Sequence, residues 1–288
     1  MRQTLTASLI AFLLATAPAM HAPAQDAQDP GATAGAPSRF ATADELLLAL
    51  EDADNDLDAL EAEIRYVRFF VLAGDRQLRD GRLAFERTDD GRRFSIRFDR
   101  LMVGPRVENE EKLYIFDGEW LVEKLPEQKL FIKRQMARPG DSFDPLKLGE
   151  GPLPLPIGQK RDDIVRRFSA SLPERTDGLE FDSLKSFTRG CVQLRLVPLP
   201  HHEDQTEFAE IRLWYDQDTL LPRLAVTEDA DGDTSTVQLL RVRTNSDAEI
   251  GAADFSVEPP AAGSGWDVQI EPWRERGPRR GASAEGDS

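Results

Sequence analysis

The stretch Arg79-Asp-Gly-Arg-Leu-Ala-Phe-Glu-Arg87, followed by Thr88-Asp-Asp-Gly91 and Arg92-Arg-Phe-Ser-Ile-Arg-Phe98, decides the fold. In its second half Phe94, Ile96 and Phe98 alternate with Arg93, Ser95 and Arg97. In its first half Leu83 and Phe85 share one side. A period of two sends alternate side chains to opposite faces, so each half reads as a strand with one face buried. Asp89-Asp90-Gly91 between them is a hairpin signal, because these residues accept the backbone conformations a tight turn needs.

The same pattern spreads outward. Upstream, Leu60, Ala62, Ile64 and Tyr66 alternate with Glu61, Glu63 and Arg65, and Phe69 to Leu72 extend the run to a turn at Gly74-Asp75. Downstream come Lys112 to Phe116, Glu119 to Leu125 and Lys129 to Gln135, separated by Asp117-Gly118 and by Pro126-Glu127-Gln128. Six strands joined by short turns form a meander. Ahead of it, Thr42-Ala-Asp-Glu45 is a capping box, and Ala43, Leu46, Leu47, Leu50 and Ala53 follow at helical spacing. This amphipathic helix of about three turns must lie on an apolar surface.

The middle of the chain changes character. Residues 139–158 mix prolines and glycines with Leu146, Leu148, Leu153, Leu155 and Ile157. Proline prevents regular structure there, yet the run is too apolar for a plain solvent loop. Asp162 to Leu172 follows as a predicted helix with Ile164, Val165, Phe168 and Leu172 on one stripe. Together these read as a cover over a sheet face. Strands resume at Cys191–Val197, Glu207–Asp216, Leu220–Glu228 and Thr234–Val242, with a final short strand expected at Phe255-Ser-Val257. The predicted fold is mainly β with short helices (α+β), with about ten or eleven antiparallel strands.

The ends of the chain suggest export. Arg2, the apolar run Leu5 to Ala15 and the small residues of Ala22-Pro-Ala24 read as a signal peptide over residues 1–24. A flexible leader over 25–39, a body over 40–273 and a disordered tail over 274–288 complete the expected organisation. Cys191 is the only cysteine, so neither a lipid-bearing N-terminal cysteine nor an internal disulfide is expected. It sits in a strand-like run and reads as a small buried residue. The expected location is the periplasm, without a lipid anchor. The formal charge is −16, and −17 (35 − 52) once residues 1–24 and their single Arg2 are removed. Nucleic-acid binding needs phosphate neutralisation by Lys and Arg, so that class is excluded, and a self-repelling monomer is expected.

Catalytic signatures are absent: no Gly-x-Ser-x-Gly, P-loop, His-Glu-x-x-His or Cys-x-x-Cys occurs. His201-His202 are neighbours in a loop beside Pro200 and read as surface residues. Asp52, Asp54, Asp56 and Glu63 mimic a calcium loop, but Leu57 stands where that loop needs glycine. The acids read as a solvated junction. No enzyme activity, cofactor or metal is expected.

The element order resembles the periplasmic lipoprotein carrier family, LolA. Four local stretches carry the resemblance: Leu46 through Leu60-Glu-Ala-Glu-Ile64; Gly81-Arg-Leu-Ala-Phe-Glu-Arg87; Asp117-Gly-Glu-Trp120 through Gln128; and Ala253-Asp-Phe-Ser-Val-Glu-Pro-Pro260 followed by Asp267-Val268. The resemblance implies an unclosed β half-barrel whose concave apolar face, capped by helices, holds the acyl chains of a lipoprotein or similar lipid. It implies as partners an inner-membrane ABC transporter and an outer-membrane acceptor. It also implies that Arg87 faces the cavity and bonds to the cover, although Thr88 stands where the family has proline. By parity the concave face would carry Leu60, Ala62, Ile64, Leu83, Phe85, Arg87, Phe94, Ile96 and Phe98. The cover would contribute Leu153, Leu155, Ile157, Ile164, Val165 and Phe168. Parity is equally compatible with a filled core. A soluble carrier for acylated cargo is the leading expectation. An envelope sensor that contacts a membrane partner through the same fold is the alternative.

Overall fold

The computed structural model describes residues 38–89, 91–138, 146, 148, 157–202 and 206–273. The expected signal peptide, almost all of the leader, the tail, and Leu153 and Leu155 lie outside the described residues.

Helix α1 spans Ala43–Asn55. Its cap works much as the sequence predicts: Thr42 Oγ1 accepts the Glu45 amide at 3.2 Å, while the Glu45 carboxylate accepts the Ala41 amide at 2.9 Å. The meander follows as β1 (Ala59–Phe70), β2 (Asp75–Thr88), β3 (Gly91–Val103), β4 (Arg106–Glu108), β5 (Lys112–Phe116), β6 (Trp120–Leu125) and β7 (Leu130–Gln135). Helix α2 (Arg161–Arg167), β8 (Phe168–Ser171) and helix α3 (Asp182–Phe187) precede β9 (Cys191–Pro198), β10 (Phe208–Asp216), β11 (Pro222–Asp229) and β12 (Thr234–Thr244). The last strand, β13, is Asp267–Glu271.

All thirteen strands form one open sheet, in the order β13-β7-β6-β5-β3-β2-β1-β12-β11-β10-β9-β8, with β4 pairing only β3. Its edges, β13 and β8, do not meet. The sheet is therefore the unclosed half-barrel that the LolA resemblance implies, antiparallel throughout except where β13 runs parallel to β7. Among the described residues, no helix is long and apolar enough to cross a membrane.

Three expectations need correction. The predicted helix over 162–172 stops at Arg167, and Phe168 to Ser171 pair with Pro198 to Arg195 as edge strand β8. Ser169-Ala-Ser171 and the following Pro173 give the helix little reason to continue, so the edge pairing wins over the stripe. The predicted strand at Phe255-Ser-Val257 is instead a 3-10 turn over Ala252–Phe255, in which Asp254 caps the Gly251 amide at 2.9 Å and Phe255 is buried under Arg93. The final strand lies ten residues further on. Among the described residues the strands number thirteen rather than ten or eleven, since the short β4, β8 and β13 are too brief to show a period.

Two of the sheet's register slips lie near its centre. Between β2 and β3 the register slips at Asp80/Gly81, which oppose Arg100 and Phe98. Gly81 is required there: a Cβ would sit 2.1 Å from the Arg97 carbonyl oxygen. Between β1 and β12 the register slips between Glu61 and Glu63, beside Arg241, whose φ is +49°. Such bulges curve and twist a sheet, and here they lie on adjacent strand pairs near its centre.

The convex face is covered at two places. Residues Leu179, Leu184 and Phe187, on and before α3, pack on Cys191, Trp214 and Leu224, and the Trp214 indole donates to the Arg175 carbonyl at 2.7 Å. At the other end Val257 and Trp266 pack on Ile115, Val122 and Phe131. Between them lies a charged network. Arg82 bonds Glu61 and Asp254 at 2.8 and 2.7 Å, and Arg243 reaches Glu61 at 2.9 Å. Burial pushes the Glu61 carboxyl up. Hydrogen bonds from Arg82 and the Glu249 amide, with the charges of Arg82 and Arg243, more than offset this and hold it below its usual value.

Candidate functional site: a latched cover over the concave face

The concave face gathers the residues that parity selects. Leu60, Ala62, Ile64, Leu83, Phe85, Phe94, Ile96 and Phe98 all lie in one cluster, each no more than 1 % exposed. The far half of the sheet completes it with Val192, Leu194, Leu196, Ile211, Leu213, Ala225, Val237 and Leu239. Leu46 and Leu47 of α1 close the cluster from above, together with Leu146, Leu148, Ile157, Ile164 and Phe168. The face is therefore packed, with the cover seated in it. Val165 departs from the expectation: it is 38 % exposed, one residue round from buried Ile164 and so on the solvent side of α2. Phe168 is buried, but as the first residue of β8 rather than on a helical stripe.

Towards β5–β7 the concave face turns polar. Lys112 bonds Glu123 at 2.8 Å and lies over the Tyr114 ring. Burial raises the Tyr114 hydroxyl pKa, against the hydrogen bond and charge of Lys112.

Arg87 points to the concave side, in the same parity as Leu83 and Phe85. Its Nη2 donates to the Asp54 carbonyl at 2.6 Å and to Asp54 Oδ2 at 2.8 Å. Asp54 belongs to the last turn of α1, where no basic residue of the helix itself faces the negative end of the dipole. Arg87 supplies that charge from the sheet. The register sets Arg92 directly opposite Arg87. Arg92 also donates to Asp54 Oδ2, and its other terminal nitrogen donates to the Gly158 carbonyl at 3.1 Å. Two like charges directly opposite on neighbouring strands repel. The shared Asp54 carboxylate offsets that repulsion. Sheet, helix and cover thus meet at one carboxylate.

Gly158 fits this seat for two reasons. Its φ is +71°, and a Cβ there would lie 1.8 Å from Arg92 Nη1. Further ties hold the cover. Gln159 donates to the Leu146 carbonyl at 2.6 Å and accepts the Leu148 amide at 3.3 Å. The Arg161 amide bonds Glu51 of α1 at 3.1 Å, and its guanidinium bonds Asp44 at 2.7 Å. The latch is not saturated. Asp54 Oδ1 and Arg87 Nε are buried without hydrogen-bond partners, and each such atom costs free energy. Beside it opens a cleft of about 300 Å³, floored by Leu57, Ile157, Tyr215 and Leu221 and rimmed by Asp54 and Asn245. Burial pushes the Tyr215 hydroxyl pKa up.

Asp54 is the residue that sequence reasoning misassigned, as part of a solvated junction. Its side chain is only 12 % exposed. Arg92 was missed as well. Its signal was present, because a two-residue hairpin loop after Thr88 places residues 87 and 92 opposite each other. Among the described residues no group of three metal-ligating side chains occurs.

No family model matches the sequence, and no curated protein matches it. Solved structures are similar in architecture. An uncharacterized conserved protein from Thermus thermophilus matches at TM-score 0.43 and 11 % identity, covering 80 % of this chain and 98 % of that one. A LolA superfamily protein from Nitrosomonas europaea matches at TM-score 0.34 and 10 % identity, covering 75 % and 98 %. The MucA/MucB complex of Pseudomonas aeruginosa matches at TM-score 0.37 and 17 % identity, covering 75 % of this chain and 63 % of that one. With identities of 17 % or less, this likeness assigns no ligand or partner to the chain.

Proposed function

We propose that this protein is a periplasmic carrier that binds the acyl chains of a lipoprotein or similar lipid on its concave face and releases them by moving its cover. The observation that carries the reading is the latch. Arg87 and Arg92 hold Asp54 of α1, and Arg92 holds Gly158 of the cover, above a face made of aliphatic and aromatic side chains. The tie joins sheet, helix and cover at one shared, incompletely bonded carboxylate. In the carrier reading, an entering acyl chain replaces Leu146, Leu148, Ile157 and Ile164 against the sheet. Burying each CH₂ of that chain stabilises it by about 0.8 kcal/mol, which offsets the exposure of the displaced cover side chains. The action is binding and release, so it requires no catalytic group. An ABC transporter as donor and an outer-membrane acceptor as recipient would complete the route.

Native mass spectrometry of the gently purified protein, combined with titration of a fluorescent long-chain acyl probe, tests the reading. Co-purifying lipid or saturable probe binding is expected. A compact, ligand-free protein that binds no probe would overturn it. Recovery of a membrane protein in a pull-down under those same conditions would point to the envelope-sensor reading instead.

A further inference from the structure

The edge of β7 is held in an unusual way. β13 lies along it in parallel, in register from Asp267 opposite Leu130 to Glu271 opposite Arg134, and this is the one parallel pairing among the described residues. All five residues of β13 are exposed, with Val268 at 39 % and Ile270 at 52 %. A parallel strand at a sheet edge with no buried face gains little from its side chains. The strand is pinned mainly at its ends. Before it, Trp266 packs on the convex cluster under Lys124. After it, the Trp273 amide bonds Gln135 at 3.0 Å. Along the strand one exposed ion pair is found, Arg134 to Glu271 at 2.8 Å. The segment leading into β13 contains Pro259-Pro260 and two glycines at positive φ, Gly263 and Gly265.

We infer that the edge of β7 is a strand-acceptor site for a partner protein, and that β13 is its exchangeable placeholder. The incoming segment adds as an extended strand, with main-chain hydrogen bonds supplying most of the attachment. The chemistry of the occupant is read from the placeholder and its seat. An aromatic residue fills the Trp266 position. Apolar residues two apart follow Val268 and Ile270. A carboxylate meets Arg134. The seat is basic, with Lys129, Lys133 and Arg134 on or beside β7, in a chain whose formal charge is −16. An acidic, apolar-alternating strand is therefore the complement. This site lies at the opposite end of the sheet from β8 and does not depend on the acyl reading.

A fluorescent peptide covering residues 264–273 is the probe, used with the full chain. In a Cys191→Ala background, Ile132→Cys with Gln269→Cys places cysteines at in-register positions of β7 and β13, so oxidation locks the placeholder. Saturable binding to the unlocked protein is expected. It should weaken at least about tenfold on oxidation and return on reduction, a change of about 1.4 kcal/mol. Trp266→Ala, which loosens the placeholder, should tighten peptide binding. No saturable binding to either unlocked protein, or equal binding to the locked one, would overturn the inference. Because the readout is peptide binding, failure here leaves the acyl-probe result untouched, and the reverse also holds. Hydrogen exchange adds a check without variants: amides 268–271 should exchange well ahead of those in β6, and equal protection counts against exchangeability.

Discussion

Asp54→Asn is the substitution that separates a latch from an ordinary ion pair. It keeps the size of the side chain and removes the charge shared by Arg87 and Arg92. Arg87 retains its bond to the Asp54 carbonyl, so the C-terminal turn of α1 keeps one tie to the sheet. A hydrogen bond to a charged group contributes about 1.5–3 kcal/mol. Two such bonds end on Asp54 Oδ2, but the arginines are 28 % and 19 % exposed, so solvent screening reduces their worth. The two opposed guanidiniums then lose the carboxylate they share, which adds to the loss. A net change of ~2 kcal/mol follows, or roughly a thirtyfold rise in the open population of the cover. Native-state hydrogen exchange measures it directly. Amides of α2, such as Ile164, which bonds the Lys160 carbonyl at 3.1 Å, should lose protection by about that factor. Amides in the centre of β2 and β3 should not. Unchanged protection in α2 would show that Asp54 does not hold the cover. An equal loss everywhere would show that it supports global stability alone.

Three further outcomes are expected. Gly81→Ala should destabilise the protein by about 1–3 kcal/mol, because the added Cβ meets backbone at the β2–β3 bulge, and the urea midpoint reads this out. Glu61 has its pKa depressed in the fold, so its contribution to stability is complete above the ordinary carboxylate value of 4.5 and is lost as pH falls through the folded value. Glu61→Gln should flatten the acid limb of the stability profile below about pH 4.5, and an unchanged slope would contradict the network. Cys191 is 2 % exposed, and burial pushes its thiol up to about 11. At about pH 8 Ellman's reagent should leave it unmodified in the native protein and titrate one thiol in urea, whereas rapid native reaction would place it outside the core.

The near half of the concave face was legible because its strands are one-sided. Phe94, Ile96 and Phe98 alternate with Arg93, Ser95 and Arg97, and the structure buries the first set completely. The far half was legible as strands but not as faces. In β9 both Leu194 and Gln193 are buried, because the cover and the segment before β9 enclose the strand from both sides, so alternation loses its meaning. Arg87 could be oriented by parity and by resemblance. Asp54, its partner, carries no local signature: four nearby acids look alike in sequence, and only the docking of α1 selects one of them. The helix ending at Arg167 and the strand at Phe168 were decided by pairing with β9, a contact between residues 168–171 and 195–198 that no local window of sequence contains. Short edge strands depend on such pairings more than on their own composition.

A packed concave face and a carrier function are compatible on energetic grounds. The cover seats four aliphatic side chains, Leu146, Leu148, Ile157 and Ile164, each nearly free of solvent contact. Exposing them costs about 1.5–3 kcal/mol apiece, or roughly 6–12 kcal/mol in all. An acyl chain of about twelve to sixteen methylenes returns about 10–13 kcal/mol on burial at about 0.8 kcal/mol each. The two ranges overlap, so in the carrier reading proposed above apolar burial alone would leave cargo and cover in competition for the sheet. A contact worth about 2 kcal/mol would then shift the balance between them toward the cover. The Asp54–Arg87–Arg92 tie has that size, and Arg92 extends it to the cover through the Gly158 carbonyl. A stronger tie would exclude cargo, and a fully apolar lid without one would hold cargo too firmly to deliver it. The unbonded Asp54 Oδ1 and Arg87 Nε leave the latch weaker than a fully bonded one. Supplying either atom with a partner should therefore slow loading of an acyl probe more than it raises the unfolding midpoint.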